Sequence, residues 1–587
     1  MSQVQWVSRL SLPRSPTHAS TAVLSIFGGM VVGLMLGRWL RIKGGGDHVG
    51  RSRDDLDAGD RSANEFSLKE GWEGSADVDD WEPLRLLGRS MVDFTLRYYK
   101  EVHTRPVRAL VKPGYLKERL TQGELPLKGE RWSSIMSDVE SHIMPGLTHW
   151  QHPRFFAWFP ANSSAPSVLG DMLGSVFNII GFSWESSPAA TELETIVMEL
   201  LRRAVGLPDV FSSDGEGGGV IQGSASEGTL VAVLAARKRA FRYLRECNPA
   251  MSDHEIQSKM TLYCSDQSHS SVKKAAIIAG MGSNLRNVPT RSHTEGVEEP
   301  YAMDPRDLAA AMRADRELGM TPIFVNANVG TTNTCAIDPI RAIGDVCRGE
   351  DFGAAADAGD DSSRSLMPWL HVDAAYAGGA TVCPENRWIM DGVEGAESVL
   401  FNPHKWLLTN FDCTAMWVKC SERLVDALSV TPEYLKSKEY GCRQVSDFRD
   451  WQVPLGRKFR SLKLWFVLRA FGLEKIRDFQ RRHCRLAQYF ENLVLKDDRF
   501  ELTRPARFGL VVLRFKGTDA ANEELRSKVI SSGKAFFSCT TLGGRVYLRV
   551  AIGTPSTKAE HVDELWAALQ EAARDLSDES STAKENA

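Results

Sequence analysis

The stretch Asn402-Pro403-His404-Lys405-Trp406-Leu407 sets a lysine between two apolar runs, Val399-Leu400-Phe401 before it and Trp406-Leu407-Leu408 after it. A buried ammonium is costly in such surroundings. The cost falls away if the amine is neutral and committed to covalent carbonyl chemistry, a common use of a desolvated lysine. A lysine of that kind asks for three companions: a cup for an anion, an acid that keeps a heteroaromatic ring electron-poor, and a flat group to stack on that ring.

Candidates for all three lie upstream. Gly217 to Thr229 reads GGGVIQGSASEGT and leads into an apolar helical stretch up to Tyr243. A loop of small residues opening a helix offers backbone N–H groups at the positive end of the helix dipole, with Ser224 and Ser226 as added donors. Most Gly/Ser loops are only flexible connections, and this one matches neither the P-loop nor the dinucleotide fingerprint. His371-Val372-Asp373-Ala374-Ala375-Tyr376 ends an apolar strand on an acid. A single aspartate more often caps a turn. His269, in Ser265-Asp266-Gln267-Ser268-His269-Ser270-Ser271, supplies an imidazole, although a single histidine is more often structural. Each part alone is ambiguous. Together with Lys405 they form a kit for pyridoxal phosphate.

Outward from this kit, the 587 residues exceed one domain. Hydrophobic residues at 43% and charged residues at 25% are ordinary for a globular chain, and a net charge of −4 with no basic stripe disfavours nucleic acid. The 10 cysteines have neither C-x-x-C nor zinc-finger spacing, which disfavours a disulfide scaffold and a metal site. Residues 1–20 form a leader. Residues 21–40, TAVLSIFGGMVVGLMLGRWL, are long enough to span a bilayer and carry Gly29, Gly33 and Gly37 at packing spacing. They are read as a membrane anchor holding a cytoplasmic catalytic part, with a cleaved organelle-targeting leader as the alternative. Residues 41–80 are a polar linker. Leu84, Leu87, Met91, Phe94 and Tyr98 predict a helix, and Ser187-Pro188 with Gly206 bracket a second. Pro322 to Val325, Trp369 to Val372 and Arg545 to Val550 predict strands. Helices alternating with short apolar strands predict an α/β fold with a large, mostly parallel sheet. The expected units are 81–165 (helical), 166–461 (cofactor-binding), 462–576 (a small C-terminal domain) and 577–587 (a tail), with an acidic insertion at 349–366.

The sequence strongly resembles the aromatic-L-amino-acid branch of the pyridoxal-phosphate-dependent group II decarboxylases. The resemblance runs from about Trp81 to about Leu576 and rests on HPRFF from His152, GFSW from Gly181, SPAATELE from Ser187, GVIQGSASE, SDQSHSS, HVDAAYAG and NPHKWLLTNFDC. It implies a type I, aspartate-aminotransferase-like fold and a homodimer with shared active sites. It further implies Lys405 as the Schiff-base lysine and Asp373 as partner of the pyridine nitrogen, with Ala375 on the ring face opposite His269. Ala225, Ser226, Asn402 and His404 correspond to phosphate ligands, and Thr331 to a residue near the phenolic oxygen. Trp150, Trp158, Phe159, Pro160, Ile180 and Phe182 correspond to the substrate pocket, part of it lent by the neighbouring subunit.

The resemblance also assigns a reaction: loss of CO2 from an aromatic L-amino acid to leave the amine. Tyr434 corresponds to the proton donor to Cα, on a loop over 429–446 that closes on substrate. Family members with phenylalanine at that position resemble aromatic aldehyde synthases, the alternative outcome. Gly456 stands where histidine decarboxylases and plant tyrosine decarboxylases have serine, and so leaves room for a larger ring. Trp158 and Ala161 replace a tyrosine and a threonine of the animal DOPA enzymes. DOPA, 5-hydroxytryptophan and tryptophan are therefore expected first, tyrosine and phenylalanine next. No arginine stands among these pocket residues, which disfavours glutamate.

Overall fold

The computed structural model describes residues 79, 81–120, 125–292, 299–349, 366–430 and 445–585, with side chains as far as 576. The anchor at 21–40, nearly all of the insertion and Tyr434 lie outside the described residues. Among the described residues no helix is long and apolar enough to cross a membrane. Residues 126–136 group separately from 79–125 and 137–587, and contain the start of a helix, Trp132–Asp138.

The longer helices are α1 (Glu82–Glu101), α2 (Ala165–Phe177), α3 (Pro188–Val205), α4 (Ala225–Cys247), α5 (Ser270–Ile278), α6 (Pro305–Glu317) and α7 (Ile340–Arg348). They are followed by α8 (Arg460–Val494, kinked at Gly472), α9 (Asp519–Ser531) and α10 (Ala559–Glu585). The helix limits follow from capping. In α3 the Ser187 hydroxyl accepts from the Ala190 N–H, Pro188 occupies the first turn, and Gly206 closes the helix in the left-handed region at φ 75°.

The strands are β1 (Phe155–Phe156), β2 (Gly218–Gln222), β3 (Met260–Ser265), β4 (Leu285–Val288), β5 (Thr321–Asn328) and β6 (Trp369–Asp373). Then come β7 (Ser398–Phe401), β8 (Thr414–Val418), β9 (Phe500–Leu502), β10 (Leu510–Phe515), β11 (Phe536–Leu542) and β12 (Arg545–Ala551). The large sheet has the order β2-β8-β7-β6-β5-β3-β4 and only β8 runs against the rest. Its strands are apolar on both faces, as a sheet covered by helices requires. Trp369 and Phe324 turn toward α4 and α5, while Leu370 and Val325 turn toward α3, α6 and α7.

The glycine triplet departs from its expected role. Gly218 and Gly219 belong to β2 rather than to an anion loop. A Cβ on Gly218 would lie 2.8 Å from Trp451 Cη2, and one on Gly219 would lie 2.7 Å from Trp417 Nε1. These glycines make room for indoles, and only Gly223 and Ser224 connect β2 to α4. A second, five-stranded sheet has the order β1-β11-β12-β10-β9. It takes Phe155–Phe156 from the segment read as N-terminal and pairs it in parallel with Phe536–Phe537. Phe156, Val511, Leu513, Leu548, Val550, Leu565 and Trp566 form its core.

Candidate active site

All strands of the large sheet except β8 end on one edge, and the turns leaving that edge surround a cavity of about 200 Å³. Binding at the carboxyl ends of strands is the general habit of such sheets. Lys405 lies in the short helix Pro403–Trp406 that follows β7, Asp373 ends β6, and His269 follows the turn after β3. The cavity wall contains Phe159, Ala225, Ser226, His269, Thr331, Asp373, Ala375, Asn402 and Lys405, nine residues singled out from sequence, drawn from six separate segments.

Desolvation pushes the Lys405 ammonium down to about 8; Asp373 opposes this and Arg549 adds to it. The amine is therefore a usable nucleophile near neutral pH. Asp373 Oδ1 accepts from the Ala375 N–H at 3.0 Å, so the turn-capping role holds, and Oδ2 remains for a ligand. His269 Nδ1 accepts from the Ser271 N–H at 3.2 Å and lies 2.9 Å from Ser271 Oγ. A neutral His269 thus carries its proton on Nε2. Burial lowers its pKa, as does Lys405, while Asp373 acts the other way. At the N-terminus of α4, Ser224 caps the Glu227 N–H, and the first-turn N–H groups of Ala225 and Ser226 stay available to an anion. Asn402 Oδ1 accepts from Thr414 Oγ1 at 2.8 Å, which leaves its amide hydrogens for a ligand. An acid with a free oxygen, an anion cup, a small alanine and a lowered lysine fit pyridoxal phosphate.

Other expected site residues lie outside this wall. His404 is buried against the Cys413 backbone, its Nδ1 2.7 Å from the carbonyl, and desolvation pushes it down to about 4. Trp150 and Trp158 stack on each other with centroids 5.1 Å apart, next to Phe155 and Phe536. Pro160 is buried against Gly553. Ile180 is 61% exposed, Phe182 is half-buried, and Gly456 faces Ile180.

The structure adds residues that the sequence reading did not assign: Asn328, Thr332, Tyr376 and Arg549. Tyr376 stacks on Phe159 at 3.8 Å. Arg549 does not line the cavity but packs behind its wall, against Phe159. It extends from β12, lies 4.4 Å from the Phe159 ring centroid, and donates to the carbonyls of Trp158 and Thr332. Its Nη2 is buried with no protein partner among the described residues. The clue was an arginine in the apolar second half of β12, the same kind of signal that singled out Lys405.

A mostly parallel sheet with a lysine, an acid and an anion cup at its carboxyl edge defines a pyridoxal-phosphate enzyme of the aspartate-aminotransferase-like fold. Residues 113–516 match the family profile described as the pyridoxal-dependent decarboxylase conserved domain. Phenylacetaldehyde synthase of Arabidopsis thaliana is 45% identical over 84% of this chain and 96% of its own length. Tryptophan decarboxylase 2 of Oryza sativa is 43% identical over 86% and 98%. The crystal structure of Oryza sativa TDC with PLP and tryptamine has a TM-score of 0.79 at 37% identity, covering 86% of this chain and all of that one. The chain belongs to the pyridoxal-dependent decarboxylase family.

Proposed function

We propose that this protein decarboxylates an aromatic L-amino acid to its amine and CO2, with indole and DOPA-like substrates ahead of tyrosine and phenylalanine. The observation that carries this reading is the convergence of Lys405, Asp373 and His269 on one cavity, with the Lys405 amine pushed down to about 8. Bound pyridoxal phosphate supplies an electron sink for the pair left on Cα when CO2 departs. Lys405 would hold the cofactor covalently through its neutral amine. Asp373, whose Oδ1 is taken by the Ala375 N–H, would pair through Oδ2 with the ring nitrogen. The N–H groups of Ala225 and Ser226, with Asn402, hold the phosphate. His269 would lie against the ring and offer its Nε2 proton to the substrate carboxylate. Phe159 and Tyr376 keep water from that carboxylate, which favours its conversion to neutral CO2.

Tyr434 delivers the proton to Cα in this reading, which rests on the sequence alone. The aldehyde synthase alternative has support from the Arabidopsis relative at 45% identity. The homodimer belongs to the same proposal. Ile180 and Gly456 are absent from the Lys405 cavity wall, and α2 exposes Leu169, Met172, Val176 and Phe177, as expected of a face that a second subunit covers. The division into 166–461 and 462–576 and the anchor at 21–40 are likewise part of the proposal. The test is a product assay on the full chain with pyridoxal phosphate and, separately, DOPA, 5-hydroxytryptophan, tryptophan, tyrosine, phenylalanine and histidine. CO2 and amine in equal amounts without H2O2 is the expected result. Aldehyde with H2O2 would favour the synthase, and a preference for histidine would overturn the substrate ranking.

A further inference from the structure

Asn328 is the last residue of β5 and pairs in register with Asp373. It is buried and is one of the residues of the cavity wall. Asp338 ties it in place: Asp338 Oδ2 accepts both the Asn328 backbone N–H at 2.7 Å and the Asn328 Nδ2 at 2.9 Å. Asp338 Oδ1 accepts from the Met303 N–H at 2.7 Å, and the Asp338 N–H returns to the Asn328 carbonyl at 2.8 Å. A carboxylate facing the amide fixes which end is NH2, and Asn326 Nδ2, 3.0 Å from Asn328 Oδ1, agrees with that orientation.

The same NH2 lies 3.0 Å from Ser268 Oγ and 3.2 Å from Ser265 Oγ. Ser265 and Ser268 close the turn that leaves β3, through the Ser268 N–H to the Ser265 carbonyl at 3.0 Å. His269 follows directly. Its ring is held at Nδ1 by Ser271, and its backbone is placed by the turn that ends at Ser268. A buried carboxylate, an amide and two hydroxyls thus link β5 to the residue that faces the cofactor.

We propose that Asn328, held by Asp338, is a positioning residue: its amide fixes the Ser265–Ser268 turn and so sets where the His269 imidazole stands over the cofactor. Asn328 touches no reacting atom in this role. The inference rests on the assignment of the Lys405 cavity to pyridoxal phosphate.

The test compares Ser268→Ala, Ser268→Thr and Asn328→Ala in the loaded full-length enzyme. Each is assayed for kcat, for KM, and for the visible circular dichroism of the bound cofactor, which reports how the ring is held. Ser268→Ala and Asn328→Ala are expected to lower kcat by about tenfold, the scale of one well-placed hydrogen bond, and to change the dichroism while cofactor stays bound. Ser268→Thr keeps the hydroxyl and is expected to stay within about twofold of the parent. If Asn328→Ala does not fold, the two Ser268 variants decide. Ser268→Ala with parental kcat and dichroism, even at a lowered melting temperature, would overturn the proposal. So would equal losses in Ser268→Ala and Ser268→Thr. A parent protein that forms no amine or aldehyde from any aromatic amino acid would instead overturn the functional reading, and this inference with it.

Discussion

The lowered Lys405 ammonium makes covalent capture of the cofactor depend on pH in a calculable way. Only the neutral amine attacks an aldehyde. With its pKa pushed from 10.5 to about 8, about a tenth of Lys405 is neutral at pH 7, whereas an ordinary lysine would be neutral roughly once in three thousand. The reactive neutral form at pH 7 is then about 300-fold more populated than in an unperturbed lysine. Between pH 6 and pH 9 the rate should rise by about 90-fold and then level off. The neighbours fix the direction of two further shifts. Asp373 favours the ammonium, so Asp373→Asn should move the midpoint down; Arg549 disfavours it, so Arg549→Gln should move it up. The assay mixes cofactor-free protein with pyridoxal phosphate and follows the visible absorbance of the bound form at a series of pH values. A midpoint near 10.5, or shifts of the same sign in the two variants, would refute the electrostatic account of this lysine.

Three other outcomes are expected, the first from the sequence resemblance and the other two from named contacts. Tyr434→Phe should divert product from amine to aldehyde with H2O2, read in the product assay; unchanged amine output would remove Tyr434 from the mechanism. Gly219→Ala places a Cβ 2.8 Å from Met198 Cε and 2.7 Å from Trp417 Nε1, and should cost about 1–3 kcal/mol of stability with the rate per loaded site preserved. Thermal denaturation decides this, and an unchanged melting temperature contradicts the packing argument. Glu194 pairs with Arg457, both buried, and accepts from the Ile221 N–H at 2.8 Å. Glu194→Ala leaves the guanidinium buried without its counter-charge and should cost about 3–5 kcal/mol in denaturant titration. A loss below about 1 kcal/mol would mean that Gln452 and the Ile221 carbonyl suffice for Arg457.

How far the sequence could be read depended on whether a signal was local. The ends of α3 were legible because Ser187, Pro188 and Gly206 act on their own backbone. Lys405 and Asp373 were legible because a charge in an apolar run demands a reason wherever the chain goes. Asn328 and Asp338 were not, because the hydrogen bonds between them join the end of β5 to the turn beyond it, and their grip on Ser268 spans 60 residues. Arg549 carried the right kind of signal, yet its meaning appeared only when β12 came to rest beside Phe159. The glycine triplet was misread because small residues serve equally to expose a backbone to an anion and to admit a neighbouring indole. Trp417 and Trp451, roughly 200 residues away, select the second use.

The most direct test of the account's central claim is to load the full chain with pyridoxal phosphate, reduce it with borohydride, and map the modified peptide by mass spectrometry. The account predicts the reduced cofactor on Lys405 in the Asn402–Leu407 segment, and none in Lys405→Ala. Modification of another lysine at full occupancy, or stoichiometric modification that persists in Lys405→Ala, would contradict it.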